Sequence, residues 1–97
     1  MHYVVFCADS ENGESLRKEH LEAHLAHIKT VADKLMVAGP CPPEDGERGA
    51  SMLVVEAENV EEARSLIEAD PYFQSGIWDS VMVRAFRAAA GEWVPKT

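Results

Sequence analysis

The 97-residue chain carries 17 acidic side chains against 9 basic ones, a formal net charge of −8, and 46% of its residues are hydrophobic. This is one domain's worth of chain, with an apolar fraction ordinary for a folded protein, which argues against disorder. The basic residues are scattered, so no basic face is present to neutralise phosphates; nucleic acid and anionic membrane surfaces are disfavoured as partners.

Met1 to Phe6 has neither a basic region nor a long apolar stretch, so the sequence predicts no signal peptide and no membrane span. Cys7 and Cys41 lie in different predicted elements, without a CxxC spacing, and two cysteines make no disulfide framework. The expected setting is a reducing cytoplasm.

Tyr3 to Ala8 is rich in β-branched and aromatic residues and reads as a strand, with Cys7 a small core residue. Because it starts almost at the first residue, a central position in a sheet is expected. Asp9 to Gly13 is polar turn material. A helix follows, with Ser15 as its expected N-cap. Leu21, Leu25, Ile28, Ala32 and Leu35 step by four and three, which predicts an amphipathic helix with this stripe toward the core. Leu35 to Ala38 begins a second strand, ended by Gly39-Pro40, and Cys41 to Gly49 is a Pro- and Gly-rich loop.

Ser51 to Ala57 is the third strand. Asn59 then caps a second helix, with Glu62 at the capping-box position and Val60, Ala63, Leu66 and Ile67 on the apolar face. Asp70-Pro71-Tyr72 ends that helix, because proline disfavours helical geometry in the residue before it. Phe73 to Gly76 reads as a turn and Ile77 to Phe86 as the fourth strand. Ala88 to Thr97 is a C-terminal extension, either loose or a short extra strand on a neighbouring molecule.

The order β-α-β-β-α-β is the ferredoxin-like arrangement. The fold class is therefore α+β, an antiparallel four-stranded sheet with two helices on one face. The strands carry apolar residues on both sides, so the bare face calls for a cover. A second copy in a closed homodimer is the economical one.

His20, His24 and His27 lie on one stripe of the first helix. They read as boundary residues, as a shared metal site, or as one proton-moving histidine with neighbours. No HExxH pattern is present, and no metal or other cofactor is expected. By helical phase His24 stands at the edge of the apolar face. An imidazole can move protons near neutral pH, and it would need a carboxylate to orient it. Asp70 is the candidate, and it reads equally well as a helix-end turn residue.

His24-Leu25-Ala26-His27-Ile28, Val37-Ala38-Gly39-Pro40, Gly49-Ala50-Ser51, Glu61-Glu62-Ala63, Ala69-Asp70-Pro71-Tyr72 and Val81 to Phe86 form an ordered series. It resembles that of the YciI-like (YCII-related) family of the dimeric α/β-barrel superfamily. The likeness runs from about Tyr3 to Phe86, which makes residues 1–97 one YCII-related domain with 88–97 as an extension. Leu21 stands where relatives often carry an arginine, and Arg17 lies one turn earlier.

The resemblance implies a homodimer with a cleft per subunit and His24 with Asp70 as a catalytic pair. A small hydroxyl residue opening the third strand matches Ser51. The implied activity is proton transfer or elimination, of lyase, isomerase or dehydrochlorinase type, on a small cyclic or aromatic-derived acid. Ser51 and backbone near Gly39 would meet a developing oxyanion, Tyr72 with Phe73 and Trp78 would line the pocket, and Arg84 or Arg17 would attract a carboxylate. Whether the chain is an enzyme at all stays open at this level. The alternatives are a non-catalytic dimeric module for a small ligand or a partner protein, and a dimeric-barrel monooxygenase, which shares the architecture.

Overall fold

A computed structural model of the chain describes residues 1–94. The elements run β1 (His2–Asp9), α1 (Gly13–Thr30), a 3-10 turn (Ala32–Lys34), β2 (Leu35–Cys41), β3 (Ala50–Glu56), α2 (Val60–Glu68), α3 (Pro71–Gln74) and β4 (Trp78–Phe86). The four strands form one sheet in the order β2-β3-β1-β4, and every pairing is antiparallel. This is the ferredoxin-like arrangement, with β1 central as its early, apolar run predicts.

Alternation along β1 assigns the two faces. Tyr3, Val5, Cys7 and Asp9 are buried on the helix side, while Phe6 is exposed on the other. Register carries Leu53 and Val55 of β3 and Val83 of β4 to the helix side. There they pack with Ala63 and Ile67 of α2, Tyr72 of α3, and Ile77 and Trp78. Val5 and Ile77 are fully buried, and each such side chain stabilises the fold by roughly 1.5–3 kcal/mol. The core thus sits beneath α2 and α3.

Helix α1 departs from expectation. It starts at Gly13, two residues before Ser15, and ends at Thr30, so Ala32 and Leu35 fall outside it. The Ser15 hydroxyl donates to the Asn12 carbonyl. Gly13 is its one buried residue, and Leu21 and Leu25 are 47% and 50% exposed. Its apolar stripe lines a cavity between the helix and the sheet, which periodicity cannot distinguish from a core.

Helix α2 follows its sequence signal more closely. Asn59 Oδ1 accepts the Glu62 backbone N–H at 2.8 Å, a cap worth about 1 kcal/mol. The Glu62 carboxylate turns to Lys34 Nζ at 3.4 Å. The segment after α2 is the short helix α3, where a plain turn was expected; Asp70 is its N-cap and Pro71 its first residue, positions that suit both. Strand β2 runs through Gly39-Pro40 to Cys41. Residues 88–94 contain no strand; the end of the expected extra strand, residues 95–97, lies outside the described residues.

Candidate active site

The site is built where α1, α3 and the β2–β3 side of the sheet meet. His24 projects from α1 toward Asp70, the cap of α3. Its Nδ1 lies 2.9 Å from both Asp70 oxygens. Asp70 is 2% exposed, and Oδ1 also accepts the Tyr72 backbone N–H at 2.9 Å. A carboxylate buried this deeply is tolerable only when hydrogen-bonded or paired. An ionised Asp70 requires the imidazole to carry its hydrogen on Nδ1. In the neutral ring this leaves Nε2 with a free lone pair, the form of a general base.

Tyr72 completes the mounting of the imidazole. Its ring stacks on His24 with centroids 3.8 Å apart and planes 4° apart, and Trp78 meets it edge-on at 5.8 Å. The Tyr72 hydroxyl donates to the Arg17 carbonyl at 3.2 Å, tying α3 back to α1. Burial pushes that hydroxyl's pKa above its usual value, against the opposing pull of Arg17.

A second pair stands beside the first. Arg17 donates Nε to Asp9 Oδ2 at 2.8 Å and Nη2 to Asp9 Oδ1 at 2.7 Å, a bidentate contact of the strong, oriented kind. Nη2 also reaches Ser51 Oγ at 2.9 Å, and the guanidinium lies 5.5 Å from the Tyr72 ring centre. The hydrogen bond to Asp9 raises the Arg17 pKa further above its already high range. Asp9 is 5% exposed, and two glycines make room for it. A Cβ added at Gly13 would stand 2.8 Å from Asp9 Cβ, and one at Gly49 would stand 3.0 Å from Asp9 Oδ2.

These groups border a cavity of about 420 Å³, the size of a small-molecule site. Arg17, His24, Ser51 and Tyr72 supply its polar atoms; Leu21 and Leu25 of α1 and Leu53 of β3 supply apolar wall. Gly39 and Pro40 border it from β2. A Cβ at Gly39 would meet nothing within 4 Å, so no close approach demands glycine there. Trp78 also lines the cavity.

Of the residues singled out from sequence, His24, Asp70, Ser51, Gly39 and Tyr72 come together here. Arg84 does not. It pairs with Val4 on the sheet face opposite the helices and is exposed there. Strand alternation explains this, since Val83 is the buried neighbour. Arg17 takes the cavity position, but held by Asp9. Asp9, which reads as turn material in the sequence, stands in phase with Tyr3, Val5 and Cys7 on the buried side of β1. Phe73 packs against the core. His27 Nε2 donates to the Leu66 carbonyl at 3.1 Å, a tie between α1 and α2. No group of three or more metal-ligating side chains occurs among the described residues, and none of their helices is long and apolar enough to cross a membrane.

The four-stranded antiparallel sheet with its helices on one face gives the chain the ferredoxin-like fold of the dimeric α/β-barrel superfamily. The YCII-related domain family matches residues 1–87, and the chain belongs to that family. It is 33% identical over 95 residues to Protein YciI of Escherichia coli O6:H1, covering 90% of this chain and 97% of that protein. An uncharacterized protein of Haemophilus influenzae is 32% identical with the same coverage.

Among solved structures, the chain is similar to the 5-chloro-2-hydroxyhydroquinone dehydrochlorinase TftG of Burkholderia phenoliruptrix AC1100, captured with 2,5-dihydroxybenzoquinone. The TM-score is 0.79 at 26% identity, over 92% of this chain and 96% of TftG. An Agrobacterium tumefaciens protein with a TM-score of 0.55 and 18% identity, over 92% of this chain and 94% of that one, shares the fold.

Proposed function

We propose that the chain is a small-molecule enzyme that uses His24 and Asp70 for proton transfer or elimination on a small cyclic or aromatic-derived substrate. The observation that carries this reading is the imidazole held at Nδ1 by a buried carboxylate and bordering a cavity of small-molecule size. His24 Nε2 would take a proton from a ring carbon or hydroxyl. The released electron pair would form the new double bond and expel a leaving group such as chloride, so that the substrate loses the elements of an acid. Asp70 would stabilise the imidazolium in between. The likeness to a dehydrochlorinase over nearly the whole of both chains supports elimination in particular.

A homodimer belongs to the same reading. On the face away from the helices Phe6, Met82 and Phe86 are 40%, 48% and 44% exposed; register sets Phe6 directly across from Met82, with Phe86 further along the same face of β4. A second copy of this sheet would cover them.

The test is chloride release from 5-chloro-2-hydroxyhydroquinone, followed by ion chromatography. Enzyme-dependent release that falls by about a hundredfold or more in His24→Asn is expected, the usual span of general acid-base contributions. Release equal in wild type and His24→Asn would refute the assignment.

A further inference from the structure

The last four carbonyls of a helix have no partner within it, and in α2 these are Ser65 to Glu68. Three are met by the chain that follows. The Ala69 N–H donates to the Ser65 carbonyl at 3.1 Å and the Asp70 N–H to that of Ile67 at 3.0 Å. Gln74 Nε2 donates to the Glu68 carbonyl at 3.4 Å. The fourth carbonyl, Leu66, is met from another helix, by His27 Nε2 at 3.1 Å. A carbonyl only accepts, so this imidazole carries its hydrogen on Nε2. No basic residue stands in the last turn of α2, and a donor there suits the negative end of the helix.

Leu66 lies four residues before Asp70, and His27 lies three residues after His24. Helix α1 therefore holds the joint between α2 and α3 at two points on one stripe: His24 on Asp70 at 2.9 Å, and His27 on Leu66. Two contacts a turn apart fix the rotation of a helix about its axis, where one would leave a pivot. Apolar packing does not do this for α1. Its one buried residue is Gly13, and Leu21 and Leu25 are about half exposed. The ties from Arg17 to Asp9 and from Tyr72 to the Arg17 carbonyl sit two turns toward the N-terminus from His24.

We infer that His27 is a positioning residue of the His24–Asp70 pair: its hydrogen bond to the Leu66 carbonyl holds α1 in the rotation that sets the His24 ring on Asp70. The inference rests on the proton-transfer reading of that pair and adds a residue to it. His27 does not border the 420 Å³ cavity, so it acts through His24 and touches no substrate.

The test compares His27→Ala, which removes the donor, with His27→Gln, whose side-chain amide can place an N–H where Nε2 stood. Chloride release from 5-chloro-2-hydroxyhydroquinone gives kcat and KM, and long-range nitrogen-proton NMR gives the His24 tautomer. His27→Ala is expected to lower kcat about ten- to a hundredfold, the effect of a small misplacement of a reacting group, with KM changed by less than about twofold. It is also expected to weaken the preference of His24 for hydrogen on Nδ1. His27→Gln is expected to recover most of both. A bond that only braces the fold would lower the unfolding midpoint and leave kcat and the His24 tautomer as in wild type; that result in His27→Ala would overturn the inference, as would equal losses in the two variants. Should wild type release no chloride, the catalytic reading fails while the tautomer comparison still decides the role of His27. Should His27→Ala fold poorly, the wild-type His27 ring decides: hydrogen on Nε2 supports the inference, and hydrogen on Nδ1 overturns it.

Discussion

His24 and Tyr72 lie face to face, 3.8 Å between ring centres and 4° between planes, and Asp70, two residues before Tyr72, holds the same imidazole at Nδ1. One three-residue segment therefore fixes both the plane and the protonated edge of the histidine. Pro71 between them pre-sets its own φ, and the Asp70 cap on the Tyr72 N–H locks the turn. The imidazole arrives from a different helix, so the site forms only when α1 and α3 dock.

This dual duty makes Asp70 costly to remove. Asp70→Ala deletes a helix cap worth about 1 kcal/mol and a hydrogen bond to an ionisable partner worth about 1.5–3 kcal/mol. Urea denaturation is expected to show a loss of about 2–4 kcal/mol. Asp70→Asn keeps an acceptor for the Tyr72 N–H, so it is expected to lose less. Equal losses in the two variants would show that capping plays no part.

The glycines around Asp9 give a sign that helix propensity alone would miss. Gly13→Ala inside α1 should gain up to about 1 kcal/mol from propensity, yet its Cβ would stand 2.8 Å from that of a buried aspartate. Overpacking of this kind costs about 1–3 kcal/mol, so a net destabilisation is expected in thermal or urea unfolding. Gly39→Ala, whose Cβ meets nothing within 4 Å, is expected to stay within about 0.5 kcal/mol of wild type. A stabilised Gly13→Ala would mean that Asp9 moves freely.

Much of the architecture was legible in the residues. The β-branched runs at Tyr3 to Ala8 and Ser51 to Ala57 and the Asn59 cap pointed to the elements that formed. The resemblance supplied His24 and Asp70, which spacing alone left open. What was not legible has physical causes. A stripe such as Leu21, Leu25 and Ile28 is the same whether it faces a core or a cavity, and here it lines a cavity. Arg84 alternates with the buried Val83, so β4 turns it to the face away from the site. Asp9 looked like turn material because a buried carboxylate needs a partner from a distant helix, and neither periodicity nor composition names that partner.

Alkaline pH probes the core. Burial, with a smaller contribution from the nearby Asp70 charge, pushes the Cys7 thiol from 9.0 up to about 12. The unfolded chain releases this proton above pH 9 while the folded chain holds it. The stabilising contribution is therefore complete below pH 9 and falls by about 1.4 kcal/mol per pH unit until the folded thiol itself ionises. Tyr72, raised in the same direction, steepens the decline above pH 10. Denaturation between pH 8 and 11 is expected to be shallower in Cys7→Ala, and an unchanged slope would contradict the buried-thiol account.

The apolar sheet face predicts assembly. Light scattering is expected to give twice the 10.7 kDa chain mass, and Phe6→Asp or Met82→Asp is expected to give the single-chain mass with the fold retained. A wild-type monomer at micromolar concentration would remove the dimer.

The central claim is that Asp70 holds His24 as an Nδ1–H imidazole at the edge of the cavity. Long-range nitrogen-proton NMR of histidine-labelled protein, at a pH where His24 is neutral, reads this directly. The account predicts a His24 ring protonated at Nδ1 in the wild type, with that preference lost in Asp70→Ala. A wild-type His24 carrying its hydrogen on Nε2, or a tautomer unaffected by Asp70→Ala, would contradict it.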